Sequence, residues 1–141
     1  MFSRKLIPLL AGAGLAMATA CSSTTDNPEP SEHLAAYAAS TSYPNAHAEQ
    51  AGQLGAIVEP NAKVIRILNF GQKEVDSCEV WLNGTFVYKV DSIPGEGYVS
   101  LHESNFYDHD GHAFSDTQST PTKIELRSGD HLWSLLGPII Q

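Results

Sequence analysis

The stretch SCEVWLNGTFVYKV, Ser77 to Val90, sets two apolar runs on either side of Asn83-Gly84. Both of those residues tolerate the positive φ of a two-residue type I′ turn, whose twist matches that of paired strands, so the stretch is predicted to be a β-hairpin. Counting outward from a two-residue turn pairs Leu82 with Thr85, Trp81 with Phe86, Val80 with Val87 and Glu79 with Tyr88. Alternation then sorts Cys78, Val80, Leu82 and Val87 onto one face and Trp81, Phe86, Tyr88 and Val90 onto the other. The aliphatic face is the expected core, and the second face reads as an aromatic ladder.

The flanking sequence keeps the same period. KVIRILNF, Lys63 to Phe70, is rich in branched residues and stops at Gly71. Beyond the Pro94-Gly95 turn, YVSLHE alternates Val99 and Leu101 inward with Ser100 and His102 outward. A second hairpin is expected from Lys123–Arg127 and His131–Leu136 around Ser128-Gly129-Asp130, with Ile124, Leu126 and Leu132 facing the core and Pro138 ending it. A short strand near His112–Phe114 completes six or seven strands. These fit a small antiparallel β-sandwich or barrel of about 86 residues, Ala56 to Gln141. A first strand followed by an x-V-W-x-N-G hairpin resembles the immunoglobulin-like modules of bacterial envelope proteins, and the resemblance implies an immunoglobulin-like sandwich.

The amino terminus, MFSRKLIPLLAGAGLAMATAC, joins the basic Arg4-Lys5 to an apolar run from Leu6 to about Met17. That run is roughly a dozen residues, whereas a spanning helix needs about 20, so residues 1–20 read as a secretory signal. The small residues Ala18-Thr19-Ala20 before Cys21 resemble the lipobox of bacterial lipoproteins. The resemblance implies that Cys21 becomes the acylated first residue of the mature chain, and Ser22, not being aspartate, implies the outer membrane. Two or more acyl chains, at about 0.8 kcal/mol per buried methylene, give stable anchoring where one does not. The alternative is ordinary cleavage after Ala18-Thr19-Ala20 and a soluble product. Residues 21–55 are rich in Ser, Thr, Ala and Pro and read as a flexible tether, within which Ser31–Ser40 favours a short helix that needs a packing partner.

Removing the signal takes away Arg4 and Lys5 but none of the sixteen acidic residues, so the net charge moves from −8 to −10. Such a balance opposes nucleic acid and anionic lipid as partners. The membrane, through the N-terminal lipid, and an envelope protein or glycan are the expected partners. With Cys21 acylated, Cys78 has no thiol to pair with and is expected to be buried; a Cys21–Cys78 bridge is the alternative in a non-lipidated product.

Chemistry is sparse. FYDHDGH, Phe106 to His112, with His102 upstream, offers His102, His109, His112, Asp108 and Asp110 to a divalent metal. The spacing matches neither H-E-x-x-H nor a complete calcium loop, and the competing reading is a polar Asp110-Gly111 turn between the core anchors Phe106 and Phe114. Trp81, Phe86 and Tyr88 would suit a glycan if exposed, or a second half of the core if covered. No G-x-S-x-G elbow or phosphate loop occurs, and Glu103 and Asp116 read as solvated surface. The sequence therefore predicts a binding or structural accessory, with no catalytic residue, metal or cofactor.

Overall fold

The computed structural model describes residues 31–140. The expected signal peptide, Cys21 and the first part of the expected tether lie outside the described residues. Helix α1 (Ser31–Ala39) is followed by β1 (Glu49–Glu59), β2 (Val64–Asn69), β3 (Val75–Leu82), β4 (Phe86–Ile93), β5 (Gly97–His102), β6 (Ile124–Ser128) and β7 (His131–Ile140). Short 3₁₀ turns at Glu103–Asn105 and Phe114–Thr117 interrupt the β5–β6 connection. Among the described residues no helix is long and apolar enough to cross a membrane.

The all-β expectation holds, in a different arrangement. The strands form one seven-stranded sheet in the order β4-β3-β6-β7-β1-β2-β5, where the sequence suggested an antiparallel sandwich or a small barrel. Every neighbouring pair is antiparallel except β1–β7, which is parallel and central. The sheet curls towards a barrel, and its edge strands β4 and β5 approach one another without forming a ladder. Pro138 does not end β7. Gly137-Pro138 fall where the β1–β7 register slips, from Gly55↔Leu136 to Ile57↔Ile139, an irregularity that accommodates a residue with no N–H to donate.

The hairpin forms at the expected place with a shifted register. Asn83 and Gly84 have φ of +55° and +69°, and Thr85 N–H donates to the Leu82 carbonyl at 3.0 Å, as a type I′ turn requires. Thr85 is then extra. The ladder runs Leu82↔Phe86, Trp81↔Val87, Val80↔Tyr88 and Glu79↔Lys89, one residue off the two-residue count. Because side chains alternate, that single bulge moves Phe86 and Tyr88 onto the Val80–Leu82 face and puts Val87 with Trp81.

The curled interior holds Val58, Ile65, Ile67, Cys78, Val80, Leu82, Ile93, Leu101 and Leu126, closed by Phe106 and Phe114. Phe86 stacks edge-on with Phe114 and Tyr88 with Phe106, at 5.1 and 5.5 Å between centroids. Cys78 is fully buried, and burial pushes its thiol up to about 11. A second cluster forms on the outside of β3 and β4, where Leu34, Tyr37 and Ala38, one helical face, cover Trp81 and Val87 beside Tyr107 and Ala113. Ordered structure thus begins well before Ala56, with α1 packed on the sheet and β1 under way from Glu49.

The turns at the end of the sheet carrying Phe70 are tied tightly. Asn69 accepts from Gly71 N–H at 3.0 Å and donates to the Lys73 carbonyl at 2.8 Å, and Glu96 N–H donates to the Gly71 carbonyl at 2.7 Å. A Cβ on Gly95 would stand 2.1 Å from the Gln72 carbonyl oxygen, a collision with backbone. Gly95→Ala is therefore expected to destabilise the domain by about 1–3 kcal/mol in urea unfolding, whereas alanine at the open position Gly52, where a Cβ meets nothing within 4 Å, should cost less. In a C21S background, Cys78 should resist a soluble disulfide reagent at about pH 8 and titrate as one thiol only after denaturation.

Candidate functional site

The Phe106–His112 loop hangs from the edge of β4. Tyr107 bridges Val87 on one side and Ala113 on the other, so the loop adds a short rung beside β4. Asp108 closes it: its Oδ1 accepts from the N–H groups of Asp110 at 3.0 Å and His112 at 2.8 Å, while Oδ2 lies 3.2 Å from His112 Nδ1. Gly111, at φ +89°, supplies the reversal. Although partial burial opposes it, these bonds hold the Asp108 carboxyl below the usual aspartate range.

Of the five candidate metal ligands, the fold converges three. Donor atoms of Asp108, Asp110 and His112 lie within 4.8 Å of one another. His102 is elsewhere, its Nδ1 accepting from Ser104 N–H at 3.2 Å and lying 2.8 Å from Ser104 Oγ, where it caps the 3₁₀ turn. His109 is exposed on the loop and outside that group. Both oxygens of Asp108 are already engaged in holding the loop's own geometry, which is the work of an Asx-type turn.

The aromatic ladder does not exist as a surface. Trp81 is 2% exposed beneath α1, with Tyr43 edge-on to it at 5.3 Å, whereas Phe86 and Tyr88 point into the other side of the sheet. The Thr85 bulge is the physical reason. Glu103 is also not the solvated residue expected. It is 4% exposed and its carboxyl is raised by burial against the opposing pull of Lys63. Asp116 is exposed, as expected.

Two arrangements were not anticipated. The first is polar and buried. Glu79, 4% exposed on the outer face of β3, accepts from Arg127 Nε at 2.8 Å, pairs with Arg127 Nη2 at 2.8 Å, accepts from Trp81 Nε1 at 3.2 Å, and takes a further hydrogen bond from the Tyr37 hydroxyl of α1. Burial alone would raise this carboxyl, but the Arg127, Tyr37 and Trp81 bonds outweigh it and hold it below the ordinary glutamate range. Burial first, and Glu79 second, push the Tyr37 phenol up to about 12, so it remains a donor. Nearby, Tyr43 donates to the buried Glu125 at 2.6 Å under Lys123, which sits over its ring at 5.5 Å. A glutamate within the apolar run of the hairpin is the one signal that sequence offered for this cluster, since its pairing with Arg127 across β3 and β6 is set by the fold.

The second is apolar and exposed. Phe70 at 66% and Tyr98 at 54% are the most exposed large hydrophobic residues among those described. Tyr98 shares the outward parity of Ser100 and His102, which is the signal that marks it. Arg66 lies over the Tyr98 ring at 5.6 Å while its Nη1 pairs with Glu59 at 2.7 Å.

No protein-family model, no curated protein and no solved structure matches this chain.

Losing one partner of a buried ion pair costs about 3–5 kcal/mol, and because the Arg127 side chain is 36% exposed, Glu79→Gln is expected to cost about 2–3 kcal/mol in urea unfolding. Because the Glu79 carboxyl is depressed in the folded chain, its contribution is complete above the ordinary glutamate value of about 4.3 and is lost as pH falls through the lower folded value. Unfolding free energy measured from neutral pH downward should therefore fall less steeply in Glu79→Gln than in wild type.

Proposed function

We propose that the protein is a bacterial envelope lipoprotein in which acylated Cys21 holds a small β domain, a binding or structural accessory rather than an enzyme, at the membrane, most simply the outer membrane. The observation that carries this reading is the leader itself: Arg4-Lys5, an apolar run too short to span, and Ala18-Thr19-Ala20 directly before Cys21. Two further features support it. Ser22 to Pro30 is all that separates Cys21 from α1, a reach of about 30 Å when extended, which keeps the domain within a few molecular radii of the bilayer. The buried Cys78 is the sole thiol left once Cys21 carries lipid, an arrangement compatible with an oxidising compartment.

The size and strand content suit the kind of immunoglobulin-like envelope module that the sequence resembles, although the parallel β1–β7 pairing sets this sheet apart from an all-antiparallel sandwich. For a partner, the acidic balance favours a neutral or basic envelope protein over nucleic acid.

Inhibiting the lipoprotein signal peptidase with globomycin is expected to accumulate a heavier, membrane-held precursor, and Cys21→Ser to abolish incorporation of labelled palmitate. Mature protein of unchanged size recovered from culture fluid in the presence of globomycin would refute the anchor.

A further inference from the structure

We propose that the open end of the curled sheet is a binding site for a neutral saccharide unit, held against Trp133 and hydrogen-bonded by the side-chain amides of Gln53 and Gln72. The two ends of the curl differ. One is plugged by Phe106 and Phe114. At the other, where β2 ends and β3 begins, a cavity of about 470 Å³ lies between residues 72–75 and the walls of β1 and β7. Small-molecule sites run from roughly 300 to 1,000 Å³, and the mouth of a barrel is one of the places where they form. β2 and β3 are separated in the sheet by β1, β7 and β6, so the link between them has to cross the curl, and the cavity is the space it leaves.

The largest irregularity among the described strand pairings falls here. Between Gln50↔Ser134 and Gly55↔Leu136, β1 sets four residues, Ala51 to Leu54, against the single Leu135 of β7. All four line the cavity. A bulge re-aims the side chains it carries, and bulges are over-represented beside functional sites. This one brings Gln53 to the β2–β3 link, where a Cβ on Gly71 would stand 2.5 Å from Gln53 Oε1, so the glycine leaves the amide its place. Trp133 is half-buried against the core, and His131 stacks on it at 5.5 Å and 11°, which fixes the indole before a ligand arrives.

These groups define the ligand. Leu54, Val75 and Trp133 give an apolar wall, and Gln53, Gln72, Lys73 and Glu74 a polar rim. Among the described residues no hydrogen bond or ion pair engages those four rim side chains. A pyranose ring has the matching halves: a face of C–H groups for the indole, and hydroxyls that each donate and accept, as an amide does. A purely apolar ligand would use the wall and leave both amides idle, and an ion would meet Lys73 and Glu74 together, so that attraction to one is opposed by the other. The inference gives the binding accessory a ligand class without depending on acylation of Cys21: a soluble mature protein would refute the anchor and leave this site untouched.

The test uses the full chain in a C21S background and follows its two indole N–H resonances by NMR, with Trp133→Phe to assign them. Titration with cellobiose, maltose and N,N′-diacetylchitobiose to about 20 mM reaches millimolar affinities. At least one disaccharide should shift the Trp133 resonance saturably, and the Trp81 resonance, from beneath α1, should stay in place. Replacing Gln53 and Gln72 by alanine, both at exposed positions, should weaken binding about tenfold or more. Gly52→Leu puts a side chain where a Cβ meets nothing within 4 Å and should abolish binding, whereas Ser119→Leu, exposed and outside the cavity, should not. No saturable shift with any of the three sugars, equal shifts of both indoles, affinity that Q53A/Q72A leaves intact, or a response to octanol alone would each overturn the proposal; the glutamine variant stays readable even if Gly52→Leu fails to fold.

Discussion

A single carboxylate, that of Glu79, decides how β3 can be used. A glutamate in the middle of a strand needs either water or a full set of donors, and here it has the donors: a guanidinium from β6, an indole N–H from its own strand, and a phenol from α1. Because the charge is satisfied, the outer face of β3 can be covered. With that face under α1 and the inner face in the curled core, β3 is buried on both sides from Cys78 to Leu82. The helix gains its place in return. Nine residues form a marginal helix alone, and its hold on the sheet comes from Leu34 and Ala38 packing and from the Tyr37 hydroxyl.

How far the sequence could be read follows from the range over which each feature is determined. Asn83-Gly84 located the hairpin because the signal is local to two residues and their φ angles. Its register escaped because Thr85, an ordinary residue, is inserted into the ladder, and nothing in its identity announces a bulge. That one-residue error had a large effect, since it created an aromatic surface from Trp81, Phe86 and Tyr88 that the fold divides between two faces. The inward pattern of Val99 and Leu101, and the core roles of Phe106 and Phe114, were legible because burial follows simple parity and size.

β1 was missed for a different reason. Its first half, EQAGQLG, is small and polar, and it becomes a strand through pairing with residues some 80 positions later. Local propensity carries no record of such a partner. The same holds for Glu79, whose neutralising arginine lies in another strand, and for the choice between sandwich and barrel, which strand count alone leaves open. In the Asp108–His112 loop, ligand-type residues were visible in sequence, but their use in closing a turn depends on backbone N–H directions that composition does not encode.

The parallel pairing at the centre of the sheet fixes when the molecule can be assembled. Of the described strands β1 is the first to be made and β7 the last, yet they are immediate neighbours and each needs the other on one flank. The β3–β4 hairpin can zip early, but the midline stays unpaired until β7 is available, so closure is a late, long-range event with a high contact order. Removing β7 would consequently open the sheet at its middle, and a chain stalled before β7 is made would leave one flank of β1 unpaired.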